Sequence, residues 1–141
     1  MKKETYKTVI DGYDEIIDEE TKITLGDLEE KIRKVPKWTS NWVKRLHGHK
    51  TKLCDLLDKK DSLKEELVAK FESSDDPRYK GMSKQELLFK IDNSKLWKDL
   101  LKDIRIQERV IEYLSEIVSI YKFQMPKALD NLVSLRKLDE S

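Results

Sequence analysis

Eight basic side chains, Lys31, Arg33, Lys34, Lys37, Lys44, Arg45, Lys50 and Lys52, lie between Lys31 and Cys54 with no Asp or Glu among them, and Trp38 and Trp42 are interleaved with them. Cationic groups gathered without acids can neutralise a row of phosphates whatever the base sequence, and a neighbouring aromatic ring can stack on an unpaired base. The competing reading is that these charges are only the solvated side of an amphipathic helix. Spacing sharpens the choice. If Pro36 opens a helix, its fixed φ suiting a first turn, each residue adds about 100° of rotation. Lys37, Asn41, Lys44, Arg45, Gly48 and Lys52 then share one arc of about 100°, while Trp42, Leu46, His49 and Leu53 share another. A basic ridge therefore backs onto an apolar seam, with Trp38 at the border, free to pack inward or to offer its face to a base.

Further along, Lys70 falls in the same arc as Lys37 and Lys52. Arg78 and Lys80 flank Tyr79 in the segment 73–83, which is rich in turn formers and is placed to close over a bound strand. The candidate binding set is thus Lys37, Trp38, Asn41, Lys44, Arg45, Lys50, Lys52, Lys70, Arg78 and Lys80. Little else in the chain points to chemistry. His47 and His49 are two residues apart and leave a helix on different sides, so they do not chelate a metal as an i, i+4 pair would. Gly12, Gly26, Gly48 and Gly81 are isolated and build no phosphate-cradling loop. Asp75 and Asp76 lack the spaced oxygen ligands of a calcium loop. The carboxylates sit at solvated helical positions with no reason for perturbed acidity. An enzyme is not expected, nor a cofactor or a metal.

The elements that must position the basic residues are helices. Of 141 residues, 38% are hydrophobic and 40% charged, and Gly and Pro number only four and three. That balance suits long helices with one narrow apolar stripe each, which another helix covers best. Formal net charge is only +1, so attraction to a polyanion must come from uneven distribution. The charge is uneven: residues 11–30 hold nine acids against Lys22 alone. Residues 1–22, anchored only by Tyr6, Val9, Ile10, Tyr13, Ile16 and Ile17, are expected as an acidic flexible arm or a short helix. Such an arm is either solvated, folded over the basic ridge, or held against a basic partner. A weak capping box at Thr24 and Asp27 starts a short helix from Leu25 to Val35, and Pro36 is expected to separate it from the next element.

From Pro36 to about Phe71 the seam Trp42, Leu46, His49, Leu53, Leu56, Lys60, Leu63, Leu67 averages 3.5 residues per turn, the period of a left-handed coiled coil. Ser83 and Glu86 form a second capping box. Beyond Asn93 and Ser94 a regular series runs through Trp97, Leu101, Ile104, Glu108, Ile111, Leu114, Val118, Tyr121, Met125, Leu129, Leu132 and Leu135, with Ile106, Val110 and Ile117 widening it. As one straight helix it would measure roughly 58 Å, too long for a chain of this size to cover, so self-association is expected. Pro126 should kink this helix or split off a last short one. Cys54, the only cysteine, excludes an intramolecular disulfide, fits a reducing compartment, and is expected to be buried beside the seam. No run of 18 apolar residues and no signal core occurs, so a soluble cytoplasmic protein is expected.

Three pieces of the chain resemble the UvsY-type recombination mediators of T-even-like bacteriophages. Ser40-Asn-Trp42-Val43-Lys-Arg45 and the basic run to Lys52 resemble that family's Ser-x-Trp-aliphatic segment with trailing basics. Ile23-Thr-Leu25 to Val35-Pro36 resembles the segment before it, and Ile104 to Ile117 with Lys122-Phe123-Gln-Met125 resembles the C-terminal helix of the cyanophage-like branch. The resemblance covers about residues 23–136. It implies an all-α subunit of long antiparallel helices with coiled-coil-like packing, in a ring-like homo-oligomer of the hexamer or heptamer class. It also implies single-stranded DNA binding by an N-terminal helical region, 23–83, and assembly through a C-terminal one, 84–141. The implied partners are single-stranded DNA, a RecA-like recombinase and the single-strand-binding protein it displaces, with no membrane, in the cytoplasm of an infected bacterial host. Of the basic pair that this family carries before an aromatic-Gly loop, Lys70 fills one position and Val68 the other; Tyr79 and Lys80 stand where paired aromatics precede the glycine. The alternative is a coiled-coil protein-protein interaction scaffold that binds no nucleic acid.

Overall fold

A computed structural model describes residues 5–24 and 26–140; their regular secondary structure is all helical, with turns and loops between the helices and no strand among them. Helix α1 spans Tyr6–Thr21, α2 Leu28–Glu72, α3 Lys84–Asp92 and α4 Lys95–Ser119; a five-residue π-helical segment, Ile120–Gln124, then leads into α5, Met125–Glu140. The chain groups into two compact units. The first draws on residues up to Lys50 and from Arg109 onward, and the second is Thr51–Glu108. The sequence-based division had its boundaries after residues 22 and 83.

The stretch expected as a flexible arm or a short helix is α1. Thr5 caps it: the Thr5 side chain accepts from the Thr8 backbone N–H at 3.2 Å, and Thr8 Oγ1 accepts from the Thr5 N–H at 3.0 Å. This is a reciprocal capping box with Thr in the place usually held by Glu. The next helix starts later than expected, at Leu28, and the expected start at Leu25 lies outside the described residues. Asp27 Oδ1 accepts from the Thr24 N–H at 2.8 Å, and that hydrogen bond, above all, lowers the Asp27 carboxyl below its usual acidity range.

Pro36 does not divide this region; it lies inside α2. A proline in a helix interior costs about 3 kcal/mol through the hydrogen bond and carbonyl it disturbs. Leu28, Val35 and Trp42 recur every seven residues, lie on one face and are all buried, and burying each such side chain contributes about 2 kcal/mol. Breaking the helix at Pro36 would turn Leu28 and Val35 away from that face, so burial outweighs the local defect. Pro36 itself is exposed.

Pro126 is handled differently. The Met125 N–H reaches the Ile120 carbonyl, five residues back, so the helix widens by one residue just before the proline, which then occupies the first turn of α5, where its missing donor matters least. In the first unit this leaves Val110, Leu114, Tyr121, Met125 and Leu129 buried in one stripe.

In the second unit Ile91, Trp97, Leu100 and Ile104 are the core, with Leu53, Leu56, Leu63, Leu67, Val68, Phe71 and Leu101 against it. Ser83 Oγ accepts from the Glu86 N–H at 3.2 Å to start α3. Two expectations are corrected here. Glu108 is exposed and Gln107 takes the inward position, at 3% exposure, since an amide is cheaper to withdraw from water than a carboxylate. Cys54 is exposed, not buried, because it follows Leu53 by one position and that rotation carries it off the seam.

Candidate nucleic-acid interface

In the first unit Lys37, Lys44 and Lys50 are exposed along α2, while Trp38, Asn41 and Arg45 are half-buried. What fixes the rotation of this helix is Trp42, which is wholly buried. Its indole N–H donates to Glu20 Oε1 at 2.9 Å, and the Tyr121 hydroxyl donates to the same oxygen at 2.8 Å. Tyr13 sets its ring edge-on to Trp42 at 5.7 Å between centroids, and the Tyr121 ring is 5.7 Å from it on a tilt. One carboxylate of α1 thus ties α2 to the segment after α4. Burial first, and the hydrogen bond to Glu20 second, push the Tyr121 phenol above its ordinary value.

Several acids of residues 11–30 are engaged within this unit. Asp14 accepts from the Tyr113 hydroxyl, Glu29 meets Arg136 at 2.9 Å, and Glu30 meets Lys34 one turn on at 2.7 Å. His49 Nε2 lies 2.7 Å from the Tyr13 hydroxyl, so this polar position of the seam is filled by a hydrogen bond to α1.

Trp38 keeps the border position that its spacing gave it, half-buried, while Arg45 faces inward more than the sequence suggested. The Trp38 ring has the Lys31 ammonium 5.4 Å from its centroid. The Arg45 guanidinium lies 4.3 Å over the Trp42 ring. Lys37 and Lys44 remain the outward members of the ridge in this unit, and Lys50, outside the ridge's arc, is outward too.

The second unit holds Lys52, Lys70, Arg78 and Lys80, all exposed. Arg78 is engaged: its Nη2 and Nε reach Asp76 Oδ2 at 2.8 and 3.1 Å, and Asp76 Oδ1 accepts the Arg78 backbone N–H at 3.0 Å. These bonds, the side-chain ones first, hold the Asp76 carboxyl below its usual range. Tyr79 stacks on Phe71 at 4.4 Å with the Lys90 ammonium 5.0 Å from its ring, so the loop is pinned by its aromatic residue. Gly81 ends the loop at φ +82°, a conformation that needs glycine.

Among the described residues no group of three His, Cys, Asp or Glu is placed to hold a metal, and no helix is long and apolar enough to cross a membrane. Sequence reasoning missed Glu20 and Tyr13 as residues that anchor the basic helix, and Tyr113 as the one that holds α1 through Asp14. The only hint in the sequence was that the first two, with Ile16 and Ile17, recur at helical spacing in an otherwise polar segment. Fold and site together define an all-helical protein with an electropositive stretch on one long helix. The chain matches no protein-family model, no curated protein and no solved structure.

Proposed function

We propose that this protein is a non-enzymatic recombination mediator: it holds single-stranded DNA along the outward lysines of α2 and helps a RecA-like recombinase replace single-strand-binding protein on that strand. The observation that carries the reading is the exposure of Lys37, Lys44 and Lys50 on a helical stretch without a single acid from Lys31 to Lys50. The aromatic cluster around Trp42 supports it, because it fixes the rotation of that stretch and so keeps the lysines outward. Lys52, Lys70 and Lys80 offer further phosphate contacts in the second unit, and the half-buried Trp38 offers an indole edge beside the lysines. With a net charge of only +1, one subunit makes few such contacts. A ring-like homo-oligomer of coiled-coil-packed helices would sum them around the assembly. Exposed Phe123, Leu135 and Leu138 support self-association.

Those same apolar side chains favour a second reading, a helical protein-protein scaffold that binds no nucleic acid. One experiment separates the two. A recombinase is assembled on single-stranded DNA already coated with single-strand-binding protein, with and without this protein, and filament formation is followed by light scattering. The mediator reading expects faster nucleation, lost in Lys37→Ala/Lys44→Ala; unchanged nucleation with the parent protein favours the scaffold.

A further inference from the structure

Arg45 and Lys44 are neighbours in sequence, and the ridge pattern counts both as phosphate contacts, yet the structure separates them. Lys44 is exposed. Arg45 lies at the edge of the basic arc nearest Trp42, its Cζ 4.3 Å above that ring, and its Nη1 is shut off from solvent with no hydrogen-bond partner. An arginine that grips phosphate presents its planar fork of donors to the ligand; this one holds its guanidinium over an indole. Its charge is also felt inside the cluster, where it partly offsets the upward push on the pKa of the Tyr121 phenol.

We infer that Arg45 is a positioning residue: its guanidinium lies over Trp42 to hold the Glu20–Trp42–Tyr121 cluster in register, so that Lys37 and Lys44 face outward, and it makes no contact with the bound strand. The second half of this statement rests on the nucleic-acid reading above; the first half does not.

The test uses the full chain with Trp38→Phe and Trp97→Phe, leaving Trp42 as its sole tryptophan. Salt-dependent binding of a labelled oligothymidylate and Trp42 emission are measured for this parent and for Arg45→Ala, Arg45→Lys and Lys44→Ala. For Arg45→Ala the expected result is a red-shifted Trp42 emission with the parental salt slope. Lys44→Ala is expected to leave emission alone and to lower the slope by about 0.7, the value of one single-strand phosphate contact. A slope lowered by about 0.7 in Arg45→Ala overturns the inference whatever the emission does. If Arg45→Ala does not fold, Arg45→Lys decides, since it keeps the charge but has no plane to lie on the indole: a red shift at the parental slope supports the inference and unmoved emission overturns it. Oligonucleotide binding is measured first with the native chain: if that binds none, the nucleic-acid reading fails on its own, and the emission of the Arg45 variants still decides whether this side chain positions Trp42.

Discussion

The two halves of α2 are built from similar residues to opposite effect. From Lys31 to Lys50 the helix carries seven basic residues and no acid, whereas from Thr51 to Glu72 it carries five lysines and six acids. The buried side chains of α2, Leu28, Val35, Trp42 and Leu46, are all in its first half, and the apolar residues of the second half are only partly covered. The first half is therefore anchored by fully buried side chains and locally electropositive, the second only partly covered and locally near neutral. The lesson is that a basic face matters where burial on the other side fixes its direction and no acid neutralises it.

That contrast can be broken most forcefully at its core. Trp42→Ala should cost about 3–5 kcal/mol of stability, in the range of a fully buried aromatic, while Leu67→Ala in the second half should cost about 1–2 kcal/mol because Leu67 is only partly buried; chemical denaturation measures both. Next, Pro36→Ala should stabilise the first half by about 1–3 kcal/mol, since it restores a helical hydrogen bond and removes a ring from the helix interior. A smaller effect is expected at Gly48, where an added Cβ meets nothing within 4 Å, so Gly48→Ala should add about 1 kcal/mol.

Much of this contrast was visible in the sequence, and the misses have physical causes. The 3.5-residue seam, the Ser83 cap, the regular apolar series beyond Asn93 and Ser94 and the outward lysines follow from periodicity and local capping chemistry. Pro36 was misread because local rules price the lost hydrogen bond but not the burial of Leu28 and Val35 on the far side of it. Gln107 and Glu108 were exchanged because either register satisfies an alternation of threes and fours, and only the cost of burying a carboxylate chooses between them. Glu20 could not be found as the partner of Trp42 and Tyr121, 22 and 101 residues away, because no local pattern encodes a contact across such separations.

The gentlest probe of the first unit is alkaline pH. The Tyr121 phenol ionises later in the folded chain than in the unfolded one, its ordinary value being about 10, owing first to burial and then to Glu20. Its contribution is fully present below about pH 10 and is lost as pH rises through the folded value, because the unfolded chain gives up its proton first. Melting temperatures between pH 8 and 11 should fall at the alkaline end, and Tyr121→Phe should flatten that fall relative to its own value at pH 8.

The most direct test of the central claim is the salt dependence of oligothymidylate binding by the intact protein, followed by fluorescence anisotropy. The account predicts that log K falls linearly with log salt, with a slope of about −0.7 for each phosphate neutralised, and that Lys37→Ala/Lys44→Ala/Lys50→Ala lowers the magnitude of the slope by about 2 while Lys59→Ala/Lys60→Ala barely changes it. Binding that is indifferent to salt, or a slope that the first triple variant leaves untouched, would contradict it.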